Sequence, residues 1–77
     1  MIQVMVEWTA VEGSSRIVAE AYIAEAETIV VRFPDGVEWA YSACSPEIWE
    51  EFSAPWQSRG QFIKNVLDVK PNGRWSG

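Results

Sequence analysis

Residues 28–42, TIVVRFPDGVEWAYS, contain the local signal that decides the fold. Pro34 suits the first position of a type I turn, Asp35 the second, and Gly36 the left-handed residue that closes a three-residue hairpin loop with a bulge. That closure sets Phe33 against Val37. The register then pairs Val31 with Trp39 and Ile29 with Tyr41, which puts six apolar side chains on one face, while Arg32 meets Glu38 on the other. A slip of one residue would place Trp39 opposite polar neighbours, so turn chemistry and hydrophobic pattern select the same register. An apolar face of this kind has to be covered by another layer.

Upstream, residues 2–8 alternate so that Ile2, Val4, Val6 and Trp8 share a face, the pattern of an edge strand. Gly13, Ser14 and Ser15 interrupt it. The run RIVAEAYI mixes helix-forming Ala and Glu with β-branched residues; its place before a clear strand decides for a strand over residues 16–23, with residues 24–27 turning into the next. Downstream of Cys44 the period changes. Ser45 reads as an N-cap, Pro46 as the first helical residue and Glu47 as a first-turn acid, starting a helix through PEIWEEFSA with Ile48 and Phe52 inward and Trp49 beside them. Pro55 ends it. Ser58 to Gln61 has the spacing of a capping box for a second helix reaching about Val69, with Phe62, Ile63, Val66 and Leu67 as its buried stripe. Pro71, Asn72 and Gly73 stop that helix and leave RWSG as a tail, with residues 71–77 expected to be flexible unless Trp75 docks on the body or meets a partner. Strands followed by helices make an α+β domain, an antiparallel meander of three to four strands with two short C-terminal helices on one face.

Seventy-seven residues suffice for one domain covering the whole chain. Chains this short need a disulfide, a metal, a partner or an aromatic core, and five Trp, three Phe and two Tyr supply the last. A single cysteine, Cys44, and no histidine argue against an intrachain disulfide, a zinc site and any cofactor. The N-terminus lacks the basic start and long apolar run of a signal peptide, so a cytoplasmic protein with no membrane contact is expected. Charge is divided along the chain: residues 1–57 hold ten acids and two bases, a net −8, whereas residues 58–77 hold one acid and four bases, a net +3. An acidic body of this kind repels a phosphate backbone at long range.

With these landmarks in place, the chain resembles the KTSC family, small domains found at the C-terminus of some lysyl-tRNA synthetases and alone in bacteria and phages. The residues that carry the resemblance lie between Val11 and Leu67. They are Ser14-Ser15-Arg16-Ile17, Tyr22, the VRFPDG hairpin, the aromatic pair Trp39 and Tyr41, the helix start at Pro46, and Ser58-Arg59-Gly60-Gln61-Phe62. Trp39 stands where the family usually has a tyrosine, and Ile63-Lys64 departs from its closing helix. The resemblance implies a small protein of bacterial or phage origin; the family has no established function, and RNA binding is suggested by its association with a synthetase.

Trp39 and Tyr41 could stack on bases, but the register makes them the floor under the helices, with the Tyr41 hydroxyl free to reach the rim of the sheet. Ser58, Arg59 and Gly60, with Lys64 one turn on, could bind an anion; a plain N-cap with solvated charges explains them as simply. Ser14 and Ser15 join that site only if the first strand ends beside the second helix, and otherwise form a turn. Cys44 has no histidine to act as its base, and no acid pair faces a common pocket, so the chain is not expected to be an enzyme. Trp49, Trp56 and Trp75 exceed what so small a core can hold, so Trp56 and Trp75 are candidates for contact with a protein partner or a second copy. The primary expectation is a non-catalytic binding module acting by protein contact or self-association. The alternatives are an RNA or tRNA binder using Arg59, Lys64, Lys70 and Arg74, and an acidic phage inhibitor of a host nucleic-acid-binding protein.

Overall fold

A computed structural model describes residues 6–76 and shows an α+β fold. Five strands, β1 (Thr9–Ala10), β2 (Ala19–Ile23), β3 (Thr28–Arg32), β4 (Glu38–Tyr41) and β5 (Asn72–Arg74), form one antiparallel sheet in chain order. Two helices, α1 (Pro46–Ser53) and α2 (Arg59–Asn65), lie between β4 and β5.

The β3–β4 hairpin has the register that its turn chemistry dictates: Val31 opposite Trp39, Ile29 opposite Tyr41 and Arg32 opposite Glu38. Phe33 N–H donates to the Val37 carbonyl at 2.8 Å, and Gly36 takes φ 92° to close the loop. Asp35 Oδ1 accepts from Val37 N–H at 3.0 Å, an Asx contact that stiffens the turn. On the polar face Arg32 Nη2 sits 2.8 Å from Glu38 Oε2.

The helices cover the face carrying Ile29, Val31 and Tyr41. Together with Ile17, Cys44, Phe52, Phe62, Ile63 and Leu67 these form the buried cluster, with Phe33, Trp39, Ile48, Trp49 and Val66 packed at its margin. Each such side chain removed from water contributes roughly 1.5–3 kcal/mol against the entropy of ordering the chain. Ser45 caps α1 through its Oγ, which accepts from Ile48 N–H, and Pro46 occupies the first turn as the sequence predicts. Ser58 Oγ likewise accepts from Gln61 N–H to cap α2.

The structure departs from the sequence reading in four places. Residues 2–5 of the anticipated first strand lie outside the described residues; residues 6–8 are not in a strand, and the edge pairing falls on Thr9–Ala10 against Ala19 and Glu20. The second strand begins at Ala19 rather than residue 16, because Ser14 Oγ accepts from Arg16 and Ile17 N–H and turns the chain there. The second helix ends at Asn65 and resumes as a 3-10 turn over Leu67–Val69; the break at Val66 lets Leu67 drop into the core. Most consequentially, the tail expected to be flexible contributes β5, so the sheet has five strands rather than three to four: Asn72, Gly73 and Arg74 pair with Tyr41, Ala40 and Trp39. Pro71 stops a helix, but its carbonyl accepts from Ser42 N–H at 2.8 Å, which starts the pairing.

The second face of the sheet is also occupied. Trp8 precedes β1 at one edge and Trp75 follows β5 at the other, yet their rings meet edge to face at 6.0 Å, with the Arg32 guanidinium 4.4 Å from the Trp8 ring centroid. Ala19, Ala21 and Val30 are buried on this side. Among the described residues no helix is long and apolar enough to cross a membrane.

Candidate functional site

Glu20 alternates with Tyr22 along β2 and therefore faces the helices, opposite Val31. A carboxylate in that position has to be paired, and its partner is Arg59. The Arg59 Nε donates to Glu20 Oε1 at 2.9 Å and Nη2 to Oε2 at 3.1 Å, with side-chain exposures of only 13% and 5%. The remaining guanidinium hydrogens go to backbone carbonyls: Nη1 to Ala54 and Gln57 at 3.0 and 3.2 Å, and Nη2 to Ser53 at 3.1 Å. All five donors of the fork are used. Arg59 is thus a clamp on the loop between the helices, and it has no N–H left to offer a phosphate, contrary to the anion-binding role its sequence position suggests.

The loop that Arg59 holds carries Trp56. Of the candidate tryptophans it is the exposed one, at 85%, whereas Trp75 packs on Trp8, and Trp49 stacks on Tyr22 with centroids 5.5 Å apart and planes 9° from parallel. On either side of Trp56, Pro55 and Gln57 line a cavity of about 270 Å³ together with Ser14, Ser15, Ser58 and Gly60, and with Arg16 and Arg59. The structure therefore brings the serine pair to the start of α2, the juxtaposition on which the sequence reading made their shared site conditional. Ser14 and Ser58 use their hydroxyl oxygens as acceptors for backbone N–H groups. At Gly60 an added Cβ would meet the Arg16 Cβ at 3.5 Å, ordinary contact, so space does not demand glycine there. Lys64 and Arg74 are exposed and Lys70 half-buried, none of them in this cavity.

Tyr41 is 2% exposed and belongs to the core, as the register requires. Burial first, and Asp68 second, push its phenol up to about 12, with Arg16 acting in the opposite direction. Its neighbour Trp39 is half-buried, and its indole N–H donates to Asn72 Oδ1 at 3.0 Å, tying β5 to β4 through side chains as well as backbone.

Cys44 is fully buried and serves as a junction rather than a nucleophile. Its N–H donates to the Glu27 carbonyl at 2.8 Å, and its own carbonyl accepts from the Tyr22 hydroxyl at 2.6 Å. These bonds hold two left-handed non-glycine residues, Glu27 at φ 45° and Ala43 at φ 56°. Burial raises the thiol pKa, the opposite of what thiolate chemistry needs. Because the folded-state values of Cys44 and Tyr41 lie above their ordinary 9 and 10, the fold favours their neutral forms. That stabilisation is complete below those values and is lost as pH rises further, through about 12 for Tyr41. Thiol alkylation should accordingly be negligible at neutral pH in the native state and appear together with alkaline unfolding. Rapid modification at pH 7 without loss of structure would contradict this assignment.

No family model matches the chain, and no curated protein does. Among solved structures, the crystal structure of the KTSC domain protein YPO2434 from Yersinia pestis superposes with a TM-score of 0.77 over 94% of this chain and 100% of the other, at 21% identity. The chain therefore has the KTSC domain fold.

Proposed function

We propose that this domain is a non-catalytic binding module that presents Trp56 to a protein partner or a second copy. The observation that supports this reading is the combination of an indole 85% exposed with a backbone pinned on both sides of it. Arg59 takes the carbonyls of Ser53, Ala54 and Gln57, so the loop is ordered before any partner arrives. Exposing a tryptophan forgoes its burial, and fixing its backbone adds entropic cost; a contact anchor is the use that recovers both. Trp75, the other candidate, is already engaged by Trp8.

A nucleic-acid role draws less support. Of the four cations assigned to it, Arg59 is spent internally, and the cations that remain are set against an acidic body. Trp56→Ala should change folding stability by less than about 0.5 kcal/mol, as for other surface positions. It should also abolish the wild type's dimer signal in light scattering, or its retention of a defined protein partner. A wild type that is monomeric at all concentrations, and whose partners bind Trp56→Ala equally well, would remove this reading.

A further inference from the structure

A second cavity, of about 260 Å³, opens on the other side of Arg16 and is lined by Arg16, Phe33, Trp39, Tyr41, Asp68 and Asn72. Three stretches that are remote in sequence meet here: the turn before β2, the β3–β4 hairpin, and the run from the 3-10 turn after α2 into β5. Three of the six residues are aromatic. The Arg16 guanidinium lies 5.6 Å from the Phe33 ring centroid, a cation–π contact that steadies it without using its N–H groups. Trp39 is fixed by its bond to Asn72, which in turn donates to the Lys70 carbonyl at 2.8 Å.

The charged groups of this slot are unpaired. Among the described residues the ion pairs are Arg32–Glu38 and Arg59–Glu20, so neither Arg16 nor Asp68 has an ionic partner. Both are near enough to the Tyr41 phenol to act on it, Asp68 from one sign and Arg16 from the other. Tyr41 also lines the slot, although its side chain is almost wholly buried. The slot thus offers a guanidinium fork, a carboxylate and an apolar wall within one small volume.

We propose that this slot binds a small zwitterion of the α-amino acid class, with its carboxylate on Arg16, its ammonium group on Asp68, and its side chain against Phe33 and Trp39. Charge balance selects the class. A ligand entering the slot removes water from one cation and one anion, a cost that is recovered only where an opposite charge meets each. A neutral heterocycle such as a nucleobase returns a formal charge to neither, and a phosphorylated ligand meets Arg16 but repels Asp68 and an acidic body. The site is separate from Trp56, so it stands or falls independently of the reading above.

The test is a titration of the isotopically labelled full chain with free L-amino acids, their methyl esters, their N-acetyl derivatives and unphosphorylated nucleosides, followed by NMR. The Trp39 indole N–H resonance, tied to Asn72, is the local reporter. The expected result is a saturable shift with a subset of amino acids. Binding should weaken roughly tenfold in Arg16→Met and in Asp68→Asn, the scale of one charge-assisted hydrogen bond. It should also be lost with both the ester and the N-acetyl compound on the wild-type protein, a comparison that does not depend on the variants folding. Absence of a saturable shift with every amino acid overturns the proposal. So does an equal response to the blocked derivatives, or a response to nucleosides alone.

Discussion

Arg59→Ala should lower the unfolding free energy by about 3–5 kcal/mol, the scale for removing one member of a buried ion pair and leaving the other uncompensated. The change strands the Glu20 carboxylate, 5% exposed, among Val31 and the helix side chains, and it releases the carbonyls of Ser53, Ala54 and Gln57. A chain of this length has a total stability of about 4–12 kcal/mol, so the loss is a large fraction of the total and unfolds the variant only at the low end of that range. Glu20→Ala should cost slightly less, because the freed guanidinium retains its three carbonyl acceptors. The double substitution Glu20→Leu with Arg59→Met should recover part of the loss, since no charge is then buried. The recovery is incomplete because the three loop carbonyls still lack their donor. Urea unfolding monitored by tryptophan fluorescence checks all three. A single-site loss below about 1 kcal/mol would show that the pair is solvated in solution and would dismantle the clamp.

Phe52→Ala should produce a loss of similar size, about 3–5 kcal/mol, by a different mechanism. Phe52 is fully buried at the point where α1 meets α2 and the sheet, with Phe62 at 5.5 Å and Trp49 at 6.2 Å between centroids. Truncation leaves a cavity that the backbone, held by the Arg59 clamp on the adjoining loop, cannot collapse to fill. Phe52→Leu keeps most of the volume and should cost less than about 1.5 kcal/mol. The Arg59 guanidinium lies 5.8 Å from the Phe52 ring, so the two alanine substitutions share a neighbour and should not add. Strict additivity in a double-mutant cycle would mean that clamp and core are energetically separate.

What could be read from the chain alone follows from how far apart the interacting residues are. The β3–β4 register is set by a loop of three residues and by a period of two, and both are visible in one stretch. Ser45 and Ser58 cap helices through bonds to residues three positions on, so those starts were legible as well. The order of strands and helices, together with Ser14-Ser15-Arg16-Ile17 and the Trp39 and Tyr41 pair, was enough to suggest the KTSC fold that the structure then displayed.

The candidate sites were legible only in part. Ser58, Gly60 and the serine pair do come together, and Trp56 is exposed as its excess over the core suggested. Arg59 was read as a solvated cation because a capping segment ordinarily carries its charges outward. The clue to its real role is Glu20, a carboxylate in phase with Tyr22 on the inward face of a strand, which signals a buried partner without saying which one. Arg16, Asp68 and Asn72 carried no signal of a shared slot, since each looks like an ordinary turn or surface residue in its own segment.

The amino-acid sequence by itself determined the hairpin register, the helix starts and the fold class, because turn preferences, caps and hydrophobic periods act over a few residues. Only the tertiary structure decided which charge Arg59 answers, 39 residues away, that Asn72 would tie Trp39 across 33 residues and make the tail a strand, and that Trp8 would meet Trp75 over the second face. Those pairings depend on how the layers stack, and the free energy that selects them exists only once distant surfaces have been removed from water together.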